Sequence, residues 1–293
     1  WRNQIFKLSV DWKYMGILHE YATTDSKPRE ELNAGKISGE YKVIARTEGN
    51  RNVGISPIDK YKRDAELLEK AIVDEPQNDR YQFYLAQSYF DSQQFEKSLV
   101  AYEKRVEMGG WHEKIYYSKL RCGILKGLME RPLAEVAGCF VDAFNYRPIR
   151  AEPLWFLSRM YRMNNMPAAA YLYAKMGLDI PYPENDIPFI QDDVYRWGIL
   201  DEVGATAFYA NQPQIGYQAS KILLEKNLVP ALHRQRVIEN FRSYEGVMRK
   251  IQEHQANQQI PSVDKQKKQP NSNKKSTKVK EKTAYKKRPK QKA

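Results

Sequence analysis

Two histidine–glutamate pairs, His19-Glu20 and His112-Glu113, have the residue types for metal chemistry. A zinc hydrolase needs a second imidazole one helical turn further on, and neither pair has one. Cys122 and Cys139 lie in no Cys-x-x-Cys or Cys/His spacing, so thiolate coordination is not indicated. Asp192-Asp193 could hold a cation or cap the helix that begins near Val194. Short side-chain oxygens just ahead of a helix favour the cap. Asp201-Glu202 reads as a solvated or salt-bridged helical face. There is no Gly-x-Gly-x-x-Gly, no phosphate-binding loop, and no serine or cysteine nucleophile signature.

The elements that must position any site are helices. Leu67, Leu68, Ala71 and Ile72 make one apolar stripe at helical spacing. Tyr81, Leu85 and Tyr89 make a second, and Leu99, Tyr102 and Val106 a third. Pro76, Pro132, Pro148, Pro167, Pro181, Pro213 and Pro230 fall between such stripes, at helix edges where proline is tolerated.

The stripes repeat. Leu85-Ala86 and Tyr89 are matched by Leu157-Ser158 and Tyr161, 72 positions on. Ala71 and Pro76 are matched by Ala143 and Pro148 at the same interval. Two periods of 36 lie close to the tetratricopeptide repeat of about 34. Within a unit, Tyr89, Ser98 and Tyr102 correspond to Tyr161, Ala170 and Ala174. A small residue on each helix lets the two members of a pair approach closely. The expected fold is mainly α: a tetratricopeptide-like (TPR-like) solenoid over residues 59–254. Its helix pairs fall at about 80–108, 113–147, 151–180 and 193–227, with single helices near 59–75 and 230–254. The fourth pair fits the repeat poorly.

In such a solenoid the first helix of each pair lines a groove. Arg80, Phe83, Gln87, Phe90, Trp155, Arg159 and Arg162 fall at those positions. Phe83 and Trp155 would be apolar anchors, and the arginines bidentate donors to carboxylates. Packing against the next repeat is the competing role for the same side chains. A protein partner is the expected occupant. The pattern lacks the lysines and asparagines of the known clamp for Glu-Glu-Val-Asp C-termini.

The flanks differ from this body. Residues 1–58 mix short apolar runs with turn residues, and Tyr14–His19 and Tyr41–Ala45 are strand candidates. The net charge of +12 is concentrated at the other end. Of 48 Lys and Arg, 13 lie beyond residue 254, against only Asp264 and Glu281, leaving residues 1–254 at about +1. This excludes a basic nucleic-acid-binding fold. It leaves a Lys-rich tail, 255–293, expected to be disordered and capable of weak, salt-sensitive polyanion binding. No apolar run is long enough to span a membrane. Two cysteines inside helices suit a reducing, cytoplasmic compartment. Trp1 in place of Met points to a processed or incomplete N-terminus.

Several longer strings resemble family 2 glycosyltransferases that carry C-terminal tetratricopeptide repeats. They are Asp59–Glu69, Asn78–Tyr89, Met108–Trp111 and Phe144–Leu154, continuing through Asp193–Tyr195 and Leu200–Glu202. The resemblance covers roughly residues 12–245. It implies that residues 1–58 are the end of a GT-A-type α/β sugar-transfer domain, whose last strand bears Gly-x-x-His-Glu. Gly16-Ile17-Leu18-His19-Glu20 matches, which makes His19 the candidate catalytic residue by analogy. An intact enzyme of this kind would use a nucleotide sugar and a divalent metal held by Asp-x-Asp. No Asp-x-Asp occurs in this chain. A partial glycosyltransferase, inactive by itself, is therefore what the resemblance implies, with a protein or glycan acceptor at the groove. The alternative is a repeat scaffold that binds proteins.

Overall fold

The computed structural model describes residues 6–27, 31, 54–186 and 189–258. Contacts divide the chain into residues Trp1–Arg249 and Lys250–Ala293. Of the second unit only the last helical turns, 250–258, are described. The strand expected at Tyr41–Ala45 and the tail from 259 onward lie outside the described residues.

The N-terminal element is a hairpin. Strand β1, Lys13–Met15, pairs antiparallel with β2, Tyr21–Thr23, with Tyr14 opposite Ala22. The strand expected to run to His19 stops four residues earlier. Gly16 at φ +103° turns the chain, and His19 at φ +53° is left-handed as well, so neither can continue a strand.

Ten α-helices follow among the described residues. They are α1 Pro57–Asp74, α2 Asp79–Asp91, α3 Phe95–Glu107, α4 His112–Leu128, α5 Leu133–Tyr146, α6 Glu152–Met163, α7 Pro167–Leu178, α8 Ile199–Thr206, α9 Pro213–Glu225 and α10 Ala231–Gln258. A π-helical turn, Val194–Gly198, leads into α8, and a 3-10 turn, Ala207–Ala210, follows it. The starts follow local chemistry. Ser56 Oγ accepts from Asp59 N ahead of Pro57, and Asn78 Oδ1 accepts from the backbone of Arg80 and Tyr81.

The repeat is written in the backbone. Each turn that joins the two helices of a pair carries one left-handed residue: Gln93, Glu130, Asn165 and Asn211. In all four pairs the residue after it closes a 6→1 hydrogen bond onto the helical turn just ended, in the fourth from Gln212 N to Ala207 O at 2.9 Å. Gln94 N donates to Tyr89 O at 2.8 Å, Arg131 N to Lys126 O at 3.0 Å and Met166 N to Tyr161 O at 2.9 Å. This is the Schellman closure, which satisfies carbonyls that a helix end would otherwise orphan. Gln93 and Asn165 are 72 residues apart, the interval of the side-chain repeat. The architecture is therefore mainly α, a tetratricopeptide-like solenoid in which α2/α3, α4/α5, α6/α7 and α8/α9 form the pairs.

Small residues sit where paired helices meet. Ala86 and Ser98 are fully buried, and Ser98 Oγ donates to Ala86 O at 2.8 Å. Ser158 and Ala170 hold the equivalent places and are also fully buried. The fourth pair departs from the pattern through its π turn and its 3-10 ending, which explains its poor fit in sequence. Among the described residues no helix is long and apolar enough to cross a membrane.

Candidate functional site

The groove positions of the first repeat are covered by the chain itself. Leu18, from the hairpin loop, is buried in one core with Phe83, Ala86 and Tyr102. The His19 ring stacks on Tyr84 at 3.9 Å, and the His19 carbonyl accepts a hydrogen bond from the Arg80 guanidinium. Arg80 also lies over the rings of Tyr21 and Tyr84. A second segment reaches the same place from the loop after α7. There Phe189 packs on Phe83 and stacks on Tyr117 at 4.3 Å. Phe83 has no exposed surface, so its side chain belongs to the core and not to a groove wall. Gln87 and Phe90 are half-buried, and Phe90 carries the Arg121 guanidinium on its face at 3.4 Å.

The third repeat is different. Trp155 and Arg159 on α6 line an open cleft of about 610 Å³ with Ile190, Asp192, Asp193, Arg196, Trp197 and His233. The Arg159 guanidinium lies over the Trp155 ring at 4.6 Å. Trp197 packs against His233 at 5.4 Å between ring centres. Trp155 and Trp197 are both half-buried, each with part of its indole facing the opening. The π turn makes this possible. Its extra residue rotates Arg196 and Trp197 out of the register that a plain α8 would impose. Gly198 then lets the turn settle against the Trp155 indole; a Cβ there would lie 2.9 Å from Trp155 Nε1.

Arg162, the third residue expected from this repeat, points elsewhere. Its fork is closed by Glu202, Nε to Oε2 at 2.8 Å and Nη2 to Oε1 at 2.9 Å. Asp201 pairs with Arg236 at 2.7 Å. Both acids are salt-bridged, but they are buried and not on a solvated face. Asp193 precedes the π turn without a side-chain capping bond, and Asp192 accepts from Tyr182 OH at 2.8 Å, so the expected cap is not formed.

Behind the cleft lies a buried ionic network. Arg150 is fully buried and donates to Glu152 Oε1 at 2.6 Å, Glu113 Oε2 at 3.1 Å, Asp186 Oδ2 at 3.2 Å and the Phe189 carbonyl at 3.0 Å. Arg147 closes the other side, against Glu113 at 2.6 Å and Asp186 at 2.8 Å. Glu152 further accepts from Tyr116 and Tyr195 hydroxyls at 3.2 and 2.7 Å and from Gln191 N at 3.3 Å. Burial pulls the Arg150 pKa down, but its hydrogen bonds to Glu152 outweigh that, and the pKa is raised. Burial likewise pushes Glu113 up, against the pull of Arg147. The network joins α4, the α5–α6 turn, the loop after α7 and the π turn, and so fixes the wall that bears Asp192 and Trp197. Arg147, Arg150, Ala151 and Glu152 of the string Phe144–Leu154 are occupied in this way. A second clamp, Arg105 to Asp79 at 2.6 Å and to the Gly109 carbonyl at 2.6 Å, uses the strings Asn78–Tyr89 and Met108–Trp111.

Sequence reasoning found Trp155 and Arg159 but missed Arg196, Trp197 and His233. The stretch Asp192–Gly198 carries no repeat signal, and only its density of charge and tryptophan marks it. Among the described residues no group of His, Cys, Asp and Glu is arranged to hold a metal ion.

Fold and cleft together define a helical-repeat protein with an open, amphipathic recess at its third repeat. No family model matches the chain, and no curated protein matches it. Solved structures with similar helices include MamA, at 12% identity and a TM-score of 0.40, covering 69% of this chain and 99% of that one. BtubC from P. vanneervenii has 11% identity and a TM-score of 0.45, with 75% and 98% covered. TTC0263, a thermophilic TPR protein of Thermus thermophilus, has 13% identity and a TM-score of 0.39, with 64% and 91% covered. Likenesses this low transfer no function.

Proposed function

We propose that this chain is a protein-interaction scaffold and that the Trp155–Trp197 cleft receives its partner. One observation carries the proposal. The groove of the first repeat is filled by the chain's own Leu18 and Phe189, whereas the recess of the third repeat stays open with two indoles and two arginines at its wall. Half-buried tryptophan beside arginine is the composition of binding hot spots, because large rigid rings bury area at little entropic cost. Kinship with the sugar-transferring family rests on the resembling strings alone; it would make the scaffold an acceptor-holding appendage and His19 part of a neighbouring active site.

The test is selection of short peptides from a displayed random library on the purified chain, with Trp155→Ala as the counter-target. Enriched peptides should bind the unaltered chain and lose most of their affinity for Trp155→Ala, while circular dichroism of the variant is unchanged. Peptides that bind both proteins equally, or no enrichment at all, would sink the proposal.

A further inference from the structure

We infer that the hairpin turn, residues 17–19, is a displaceable plug. It occupies in cis a seat on the first repeat that takes, when vacated, a partner's peptide segment of the same chemistry: a leucine followed by a flat ring. Two segments cover this repeat, and they are held differently. The Phe189 segment is tied in by charge. Arg150 donates to the Phe189 carbonyl at 3.0 Å and Arg147 to Asp186 at 2.8 Å, both within the buried network. The hairpin turn docks as a short peptide does. Leu18 is a single apolar anchor, 3% exposed, in one core cluster with Phe83, Ala86 and Tyr102. The His19 ring lies flat on Tyr84, and the Arg80 guanidinium holds the His19 main-chain carbonyl. A side-chain anchor with a main-chain hydrogen bond beside it is how peptide segments are read by their receptors.

Around this anchor the hairpin is wet and strained. Lys13, Tyr14 and Met15 are all exposed, as are Ile17 and Tyr21. Two paired strands of three residues each do not hold together unaided in water. His19 at φ +53° is kept in a left-handed conformation that a residue with a side chain adopts at a cost, and docking on Tyr84 and Arg80 offsets it. The seat is better supported than its occupant. Phe83, Tyr84 and Arg80 stand on α2, which packs between α1 and α3 and closes its own backbone hydrogen bonds. Release of the turn therefore uncovers a formed site, and a segment with the same anchor and ring fits it.

The probe is a fluorescein-labelled peptide copying residues 13–23, titrated by anisotropy against the full chain. The unaltered protein should bind it weakly, because its own tethered copy competes at high effective concentration. Leu18→Asp puts a charge in the apolar seat and evicts the turn, so this variant should bind the peptide at least about tenfold more tightly. Adding Tyr84→Ala should abolish the gain, and a peptide whose own leucine is replaced by aspartate should bind neither protein. His19→Ala leaves the anchor in place and removes only the ring stack, so its gain should be smaller, about threefold. If Leu18→Asp keeps the parent's circular dichroism and gains no affinity, the turn is fixed packing and the inference falls. If Leu18→Asp does not fold, His19→Ala decides, and no gain there overturns the inference equally. A dimeric parent with a monomeric Leu18→Asp in sedimentation would assign the seat to a second copy's hairpin and reject the plug. The site is separate from the third-repeat cleft, so Trp155→Ala should leave every one of these affinities unchanged. A loss of binding in that variant would place the peptide in the cleft and overturn the inference while leaving the proposed partner site standing.

Discussion

Arg150 and Glu152 meet two residues apart in sequence with neither side chain exposed, Nη2 donating to Oε1 at 2.6 Å and Nε to Oε2 at 3.1 Å. The pair is bidentate and stands at the centre of contacts from four separate elements. Removing one member strands the other charge in a dry interior. Arg150→Met is expected to cost about 3–5 kcal/mol of stability. Arg131→Met, which breaks an exposed pair with Glu96, is expected to cost under about 1 kcal/mol. Urea denaturation of the two variants beside the parent checks this; equal costs would mean that the network is not a structural clamp.

Lys114 gives a pH dependence with a definite sign. Its side chain is buried beside Phe83 and Tyr84, and burial pushes its pKa down to about 8, with Asp79 opposing. The penalty for a buried charge is therefore present at pH 7. Between about pH 8 and the ordinary lysine range the unfolded chain holds a proton that the folded chain has lost, so this group adds stability as pH rises. Lys114→Met should be more stable than the parent at pH 7, by on the order of 1–3 kcal/mol, since the lost ring contacts offset part of the gain. That advantage should shrink by pH 10. Comparing the two proteins at each pH cancels the opposing drift from Cys122, whose thiol burial pushes up to about 12. A pH-independent difference would contradict this assignment.

The close approach of α2 and α3 depends on Ala86. Its carbonyl takes the Ser98 hydroxyl, and its side chain is fully buried. Ala86→Leu should overpack the contact at about 1–3 kcal/mol. A thermal melt at the parent's temperature would show that the repeat register set here is wrong.

Gly216 holds α9 against α10 for a similar reason. A Cβ on it would fall 2.2 Å from Tyr244 Cζ, and that ring is fixed because its hydroxyl donates to Gly204 O at 2.9 Å and accepts from Phe208 N at 3.1 Å. Gly216→Ala should destabilise by roughly 1–3 kcal/mol. In a Tyr244→Ala background the same change should cost much less, and a double-mutant cycle reads the coupling. Additive costs would exclude the ring as the cause.

Polyanion binding should follow the charge. Residues 259–293 carry 13 Lys and Arg against two acids, while the rest of the chain is close to neutral. Truncation after Gln258 should remove DNA or RNA binding in a filter assay, and the intact chain's binding should fall steeply with salt. Undiminished binding by the truncated chain would place a polyanion site on the helical body.

The order of helices, their pairing and their period were legible in the sequence because all three are local properties. Stripes such as Leu68, Ala71 and Ile72 set which face of a helix is buried, though Leu67 of the same run is left exposed, and the small residues Ala86 and Ala170 set how close the next helix comes. Charge placement was equally legible, since it is a count along the chain. What covers a buried face is not local. Arg80 and Phe83 read as groove residues because their spacing is that of groove residues, yet Leu18 and Phe189, distant in sequence, close over them. Arg162 and Arg159 sit three positions apart on one helix. Only the arrival of Glu202 from 40 residues away ties the first to the core, while the second is left at an open cleft. A helical period fixes direction within one turn of chain. Which partner waits in that direction is decided when remote segments fold together, and that step made the cleft.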